Sequence, residues 1–414
     1  MKVLWFSNTP ALGEEQVNLK VTGGGWIKAL DQALQDVVDL HIAFHYPKAS
    51  APFKSGSSHY YPVTVKNWKL RLIRDNLTNR VYDREFLEHY LNLINEIRPD
   101  IIHIHGTESP FGCLIGKTDI PVVLSIQGNI NVYTHKYTSG LGSGYLKINK
   151  FDISQGLASF LFAKNFSSGY DKFKKMARIE ARNLSDCQFV IGRTEWDKRI
   201  TSVLAPRAKY FHGDELLRDG FYSSAWSKKR TSDLIIHSTS GNSYFKGFET
   251  ICQSLNELNK LGISVTWQVA GIQDSDLIVK IVRKKLGRDF PSKGLILPGS
   301  LSETELIDRM LQADIFVGAS HIENSPNSLC EAMMLGMPCI VTFAGGTGSL
   351  LKDREEGILI QDGDPWVMAG AVLELANDPG KGIKLGEKAR LTALQRHNKE
   401  RIVKELINTY TEII

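Results

Sequence analysis

DIFVGASHIENSPNSLCEAMMLGMPCIVTF, residues 314–343, places a short helix-forming segment between two apolar runs. DIFVGAS (314–320) and PCIVTF (338–343) are continuous rather than alternating, as expected of strands buried on both faces of a parallel sheet. Between them Ser325 is a good N-cap, and Pro326 suits a first helical position, where its missing N–H would be unpaired anyway. Gly336 followed by Pro338 is a stop signal. The spacing predicts a helix over 326–335 that starts at the carboxyl edge of a parallel sheet, where open α/β sheets bind ligands. The unpaired amides of Asn327 and Ser328 make that helix start an anion site. Glu331 lies one turn in and Glu323 on the loop before it, so both line the same pocket. Ionised carboxylates are acceptors only, which beside a phosphate suits neutral hydroxyls, the pattern of a sugar nucleotide. A helix-dipole partner at Glu331 and a solvated loop acid at Glu323 account for the pair equally well.

The same alternation runs through the chain. Its first half offers KVLWF (2–6), VDLHIAF (38–44), DIIHIH (100–105), PVVLSI (121–126) and CQFVIG (187–192), with a helical stripe Trp26, Ile27, Leu30, Leu34 after the first. The pattern restarts beyond the polar stretch SSAWSKKRTSD (223–233) with LIIHSTS (234–240), SVTWQVAG (264–271) and GLILPG (294–299). Two successive β/α repeats imply an α/β protein of two doubly wound, Rossmann-like domains facing across a cleft. The expected boundaries are 1–222 and 223–395, with a final amphipathic helix, 396–414, packing back on the first domain.

A length of 414 residues exceeds what a single core usually supports. No apolar run approaches the roughly 20 residues needed to cross a bilayer, and MKVLWFSNTP is too short for a secretory signal. Five cysteines without paired spacing point to reduced thiols, a cytoplasmic location and no disulfide frame or zinc site. A net charge of +5 is too small to imply nucleic acid. Residues 140–182 nevertheless hold eight basic side chains against three acids, with Phe160, Leu161, Phe162, Phe166 and Phe173 among them. Such a mixture suits a solvated helical face or peripheral membrane contact through 147–182. His103 and His105 share a strand face but lack a third metal ligand. TGGG (22–25) does not follow the first strand as a G-x-G-x-x-G, so it is no dinucleotide fingerprint.

Glu323, seven residues, Glu331, then AMMLGMPCIVTFAGG resembles the E-x7-E segment of retaining glycosyltransferases of the GT-B fold, family 4. Further similarities are TGGGWIKAL (22–30), PDIIHIHG (99–106), IPVVLSIQG (120–128), YFKGFETICQSLNEL (244–258), LPGSLSETELIDRMLQADIFV (297–317) and EEGILIQDGDP, ending at Pro365.

The resemblance implies that Glu331 holds the ribose hydroxyls of a UDP- or GDP-linked sugar, while Glu323 contacts the donor sugar. It implies that Lys246 neutralises the leaving diphosphate, where negative charge grows in the transition state. Amides of Asn327 and Ser328 contact the donor, since Pro326 has none. Gly24 and Gly25 match the glycine turn that approaches the donor phosphates, and His105 lies on the acceptor side. The sequence departs from the family at Gly241, where an arginine commonly stands; Arg193, or Ser240 and Asn242, are the candidate replacements. It departs again at Gln127, where many relatives have histidine: Gln127 can bond an acceptor sugar but cannot move a proton. The acid common after Gly345 and Gly346 is also missing.

The expectation is therefore a metal-independent, cofactor-free retaining glycosyltransferase that moves a sugar to a saccharide or lipid-linked acceptor in cell-envelope polysaccharide synthesis. Metal independence is expected because no Asp-x-Asp stands at a strand end in a suitable setting. The alternatives are a catalytically silent sugar-nucleotide-binding subunit or a GT-B epimerase.

Overall fold

Along the first strand, Val3 and Trp5 enter one apolar cluster and Leu4 and Phe6 another. Successive strand side chains point to opposite faces, so this strand is covered on both. The computed structural model describes residues 1–17, 24–48, 50–64, 84–142, 166–227 and 233–414. Unit 1 comprises Met1–His135, Ser143–Leu216 and Lys399–Ile414; unit 2 comprises Lys136–Gly142 and Leu217–Asn398.

Unit 1 is built on strands β1 (Lys2–Ser7), β2 (Asp39–His45), β3 (Phe53–Ser55), β4 (Ser58–Val63), β5 (Ile101–His105), β6 (Val122–Ser125), β7 (Phe189–Gly192) and β8 (Lys209–His212). They lie in the order β3-β4-β2-β1-β5-β6-β7-β8, parallel except for the β3–β4 hairpin. The five apolar runs of the first half are β1, β2, β5, β6 and β7. The hairpin and β8 carry no such signal. Strand β4 holds Pro62 beyond its three-residue pairing with β3, where a missing N–H is tolerated. Helix Lys399–Ile413 packs on this unit: the Tyr410 hydroxyl lies 3.1 Å from Trp5 Nε1 and 2.6 Å from His103 Nδ1.

Unit 2 has six parallel strands, β9 (Leu234–Thr239), β10 (Val265–Ala270), β11 (Leu295–Gly299), β12 (Ile315–Gly318), β13 (Cys339–Thr342) and β14 (Ile358–Ile360), in the order β11-β10-β9-β12-β13-β14. Strands are added on one side of β9 and then, from β12, on the other. The β9/β12 boundary is thus the topological switch point, where the loops after both strands diverge and leave a crevice. Trp226, in the polar run, donates its indole N–H to Ala313 O at 2.8 Å and its backbone N–H to Leu335 O at 2.8 Å. Among the described residues no helix is long and apolar enough to cross a membrane.

Candidate active site

The loop after β9 carries Tyr244–Lys246 as one 3-10 turn, and Gly247 then caps helix Phe248–Lys260. Gly247 sits at φ 71°, and a Cβ there would stand 1.9 Å from Ala319 O, in the loop after β12. Only glycine lets the two loops come this close. Phe245 O accepts the His321 N–H at 2.8 Å, tying the loops through main chain. The third loop, after β13, joins them in the same way: Gly345 has φ 63°, a Cβ on it would lie 2.0 Å from Glu323 O, and Gly346 N–H donates to that oxygen at 2.9 Å. The outcome is an ion pair between Lys246 and Glu323, with Ser320 Oγ donating to the same carboxylate at 2.8 Å.

The helix expected over 326–335 is Asn327–Leu335, closed by a left-handed Gly336 at φ 84°. Its N-cap is Pro326 rather than Ser325, and no side chain caps it. Ser325 is buried instead, with Oγ 4.0 Å from Cys330 Sγ. The capping role is lost because the hydroxyl turns inward. The amides of Asn327 and Ser328 consequently have no intrahelical acceptor, and Asn327 Oδ1 is buried without a hydrogen-bond partner. Behind them Glu331 is 5 % exposed. Burial pushes its carboxyl up to about 7 against the opposing pull of the Arg218 guanidinium, with the Glu303 carboxylate adding to the rise. Arg218 Nη2 and Nε lie 2.7 Å and 2.8 Å from Glu331 Oε1.

Asn242 is exposed, and its Oδ1 accepts the Ile278 N–H at 3.1 Å, which places that oxygen at the start of helix Leu277–Leu286. At Gly241 an added Cβ would meet nothing within 4 Å, so the side chain missing here leaves open space. Ser240 Oγ is buried without a partner.

In unit 1, Gly24 (φ 77°) is the N-cap of helix Gly25–Leu34, with no side-chain cap. Trp26 in its first turn lies under Arg193, whose guanidinium carbon is 4.5 Å from the ring centroid. Arg193 is 6 % exposed, with Nε 3.6 Å from Glu215 Oε2. His105 ends β5 in an aromatic box, 4.6 Å from Trp5, 5.6 Å from Trp26 and 3.8 Å from His103 between ring centroids. Neither of its ring nitrogens has a partner, and burial, His103 and Arg193 hold it well below the usual histidine range. A cavity of about 40 Å³ opens beside it, lined by Trp26, Ser125, Arg193 and Asp214 among others. Gln127, on the loop after β6, is half-buried. Of the basic stretch, 147–165 lies outside the described residues; Lys172, Arg178 and Arg182 are exposed on helix Phe166–Ser185.

Two groups at this site have no signal in the sequence pattern. Arg218 stands 113 positions from the carboxylate it binds. His321 lies inside the stretch 314–343, but its partners Glu249 and Asp362 are 72 and 41 positions away.

Residues 223–392 match the family model of glycosyl transferases group 1. The putative teichuronic acid biosynthesis glycosyltransferase TuaC of Bacillus subtilis is 30 % identical over 289 residues, which is 67 % of this chain and 61 % of that protein. The chain spans less than two thirds of the length of the curated relatives it matches. Sucrose-phosphate synthase from Thermosynechococcus elongatus superposes with a TM-score of 0.75 at 14 % identity, covering 99 % of this chain and 98 % of that one. HepE of Anabaena, solved in complex with UDP and glucose, gives 0.66 at 14 % identity over 99 % of both chains. The two-sheet α/β fold is thus the GT-B fold of these glycosyltransferase structures.

Proposed function

We propose that this chain is a glycosyltransferase that moves a sugar from a nucleoside-diphosphate donor to a saccharide or lipid-linked acceptor, with retention of anomeric configuration, in cell-envelope polysaccharide synthesis. The carrying observation is the convergence at the β9/β12 switch point of one ammonium, Lys246, with the Glu323 carboxylate, beside the uncapped helix start at Asn327 and Ser328. A lysine aimed at a carboxylate, next to open amides, suits a ligand that is part hydroxylated sugar and part diphosphate. The family match over 223–392, the role in TuaC's printed name, and the UDP and glucose in HepE all support the same reading.

Each role follows from the group present. When donor binds, Lys246 exchanges Glu323 for the diphosphate and stabilises it as the anomeric C–O bond breaks. Glu323 turns to the sugar hydroxyls, Glu331 accepts from the ribose hydroxyls, and the amides of Asn327 and Ser328 bind donor oxygens. The acceptor oxygen attacks from the face the diphosphate leaves, and its proton passes to the departing phosphate oxygen, so no protein nucleophile is needed. Gly24, Gly25, Asn242 and Arg193 are assigned to the donor, and Gln127 and His105 to the acceptor. With Lys246 and the amides carrying the charge, the reaction runs without a divalent ion. The segment 147–182 makes peripheral contact with an anionic, cytoplasmic membrane face.

A thermal-shift screen against UDP, GDP and their sugars tests the donor site, followed by acceptor-dependent release of nucleoside diphosphate with and without EDTA. The anomeric configuration of the product, read by NMR, tests retention. Tight nucleotide binding with no turnover on any acceptor would sink the transferase reading. Absence of binding to anionic liposomes at low salt would sink membrane contact.

A further inference from the structure

His321 and Glu249 are both 2 % exposed in their side chains, and they meet at 2.7 Å, imidazole Nε2 to carboxylate Oε1. The other ring nitrogen, Nδ1, faces Asp362 Oδ2 at 3.3 Å. A neutral imidazole has one donor and one acceptor, whereas an imidazolium donates from both nitrogens, so a ring with a carboxylate at each end is built for the cation. These partners come from different places. Glu249 lies in the first turn of helix Phe248–Lys260, directly after the Lys246–Gly247 turn; Asp362 follows β14; His321 stands two residues before Glu323.

We propose that His321 is a positioning residue for the donor site, clasping Glu249 and Asp362 so that the loops carrying Lys246 and Glu323 stay in register. This rests on the donor-site reading above. Its main chain does the same work, since the His321 amide bonds Phe245 O at 2.8 Å. One residue thus holds the loop after β9 by both backbone and side chain, and the loop after β14 by side chain.

The described surroundings of the clasp belong to unit 2. Lys136 Nζ stands 3.3 Å from Asp362 Oδ2 and compensates that carboxylate. Lys285 Nζ donates to Gly140 O. Gly140 closes over the pair: at φ 76° its Cβ would lie 2.1 Å from Glu249 Oε1 and 2.7 Å from His321 Nε2. Cys252, on the same helix as Glu249, is held in its neutral thiol form by burial and by that carboxylate. Burial alone depresses the imidazole, but the bonds and charges of Glu249 and Asp362 outweigh it and raise it above the usual histidine range. A histidine raised in the folded state contributes fully below its unfolded value, and the contribution fades as pH rises through the folded one. The donor site therefore loosens on the alkaline side.

The test uses the full chain, with UDP as probe. Nitrogen NMR of the His321 ring is expected to show both nitrogens protonated at pH 7. Replacing His321 by Gln is expected to weaken UDP binding and slow turnover by about ten- to a hundredfold, through the loops it holds. Asp362→Asn, at a partly exposed site, keeps the chain folded and removes one carboxylate. It is expected to shift the alkaline limb of UDP affinity to lower pH, which a merely structural role would not do. A singly protonated ring at pH 7, or wild-type UDP affinity and an unmoved limb in both variants, overturns the proposal. If wild type bound neither UDP nor GDP, the donor-site reading would fall. The ring's protonation, and hydrogen exchange at the His321 amide in His321→Gln, would still decide for or against the clasp.

Discussion

Arg218 Nη2 lies 2.7 Å from Glu331 Oε1, and that guanidinium is the group that opposes the burial of the carboxylate. Removing one partner of such a pair leaves the other desolvated and uncompensated. With Arg218 replaced by Leu, Glu331 is expected to titrate above about 7, the value it has beside the arginine. A protonated carboxyl loses half its acceptor capacity for ribose hydroxyls. UDP affinity of the wild type should therefore rise as pH rises through this range, and the midpoint should move upward in Arg218→Leu. Calorimetry between pH 5.5 and pH 9 (roughly two units around that titration) reads this; an unmoved midpoint contradicts the role given to Glu331.

The same shift makes a stability statement. A carboxyl raised on folding is easier to keep protonated in the native state, so stability falls as pH climbs from the unfolded value, near 4.5, to about 7. Glu331→Gln should flatten that part of the pH–stability curve while abolishing tight UDP binding. Urea unfolding at several pH values measures it, and an unchanged slope assigns the effect elsewhere.

Lys246→Met removes the charge that the proposed reaction sets against the leaving group from the loop after β9. Turnover is expected to drop by about a hundred- to a thousandfold, with donor KM changed far less, because the charge it answers grows in the transition state. Steady-state kinetics with donor and acceptor saturating decide this; a pure KM effect would recast Lys246 as a binding residue.

Gly247→Ala places a methyl where Ala319 O already stands and forces a left-handed backbone on alanine. A loss of about 2–4 kcal/mol is expected. Gly116, also left-handed at φ 70° but with nothing within 4 Å, is the control: its alanine variant should lose only about 1–2 kcal/mol. Equal losses at both positions would show that strain alone, and not the close approach of two loops, matters.

Tyr410 ends a chain of hydrogen bonds in unit 1. Its oxygen accepts from Trp5 Nε1 and is hydrogen-bonded to His103 Nδ1 at 2.6 Å, and His103 Nε2 in turn to Ser125 Oγ at 2.6 Å. Burial and Arg193 hold His103 at about 3, so the neutral tautomer is the one that fits. Tyr410→Phe strands two buried groups and should cost about 2–4 kcal/mol in denaturant unfolding. A change below about 0.5 kcal/mol would mean that helix Lys399–Ile413 is held by its apolar face and its ion pairs, Arg401–Asp214 and Lys209–Glu412, without help from this hydroxyl.

Local pattern carried much of the architecture. Continuous apolar runs marked the buried parallel strands, because period and composition are properties of neighbouring residues. The hairpin β3–β4 escaped because three residue pairs are too few to set a readable period. The helix at 327–335 was legible from Pro326 and Gly336, but the direction of the Ser325 side chain was not, since the core behind it took the hydroxyl.

By itself the sequence determined an α/β chain of two repeats and the position of the Glu323–Glu331 segment at the end of a strand. Only the tertiary structure decided that Arg218 occupies Glu331, that Glu249 and Asp362 flank His321, and that Tyr410 bridges Trp5 and His103. These partners are separated by 41 to 405 positions. Periodicity reports which face of an element is buried, whereas strand order and loop crossing at a switch point choose which side chains meet there.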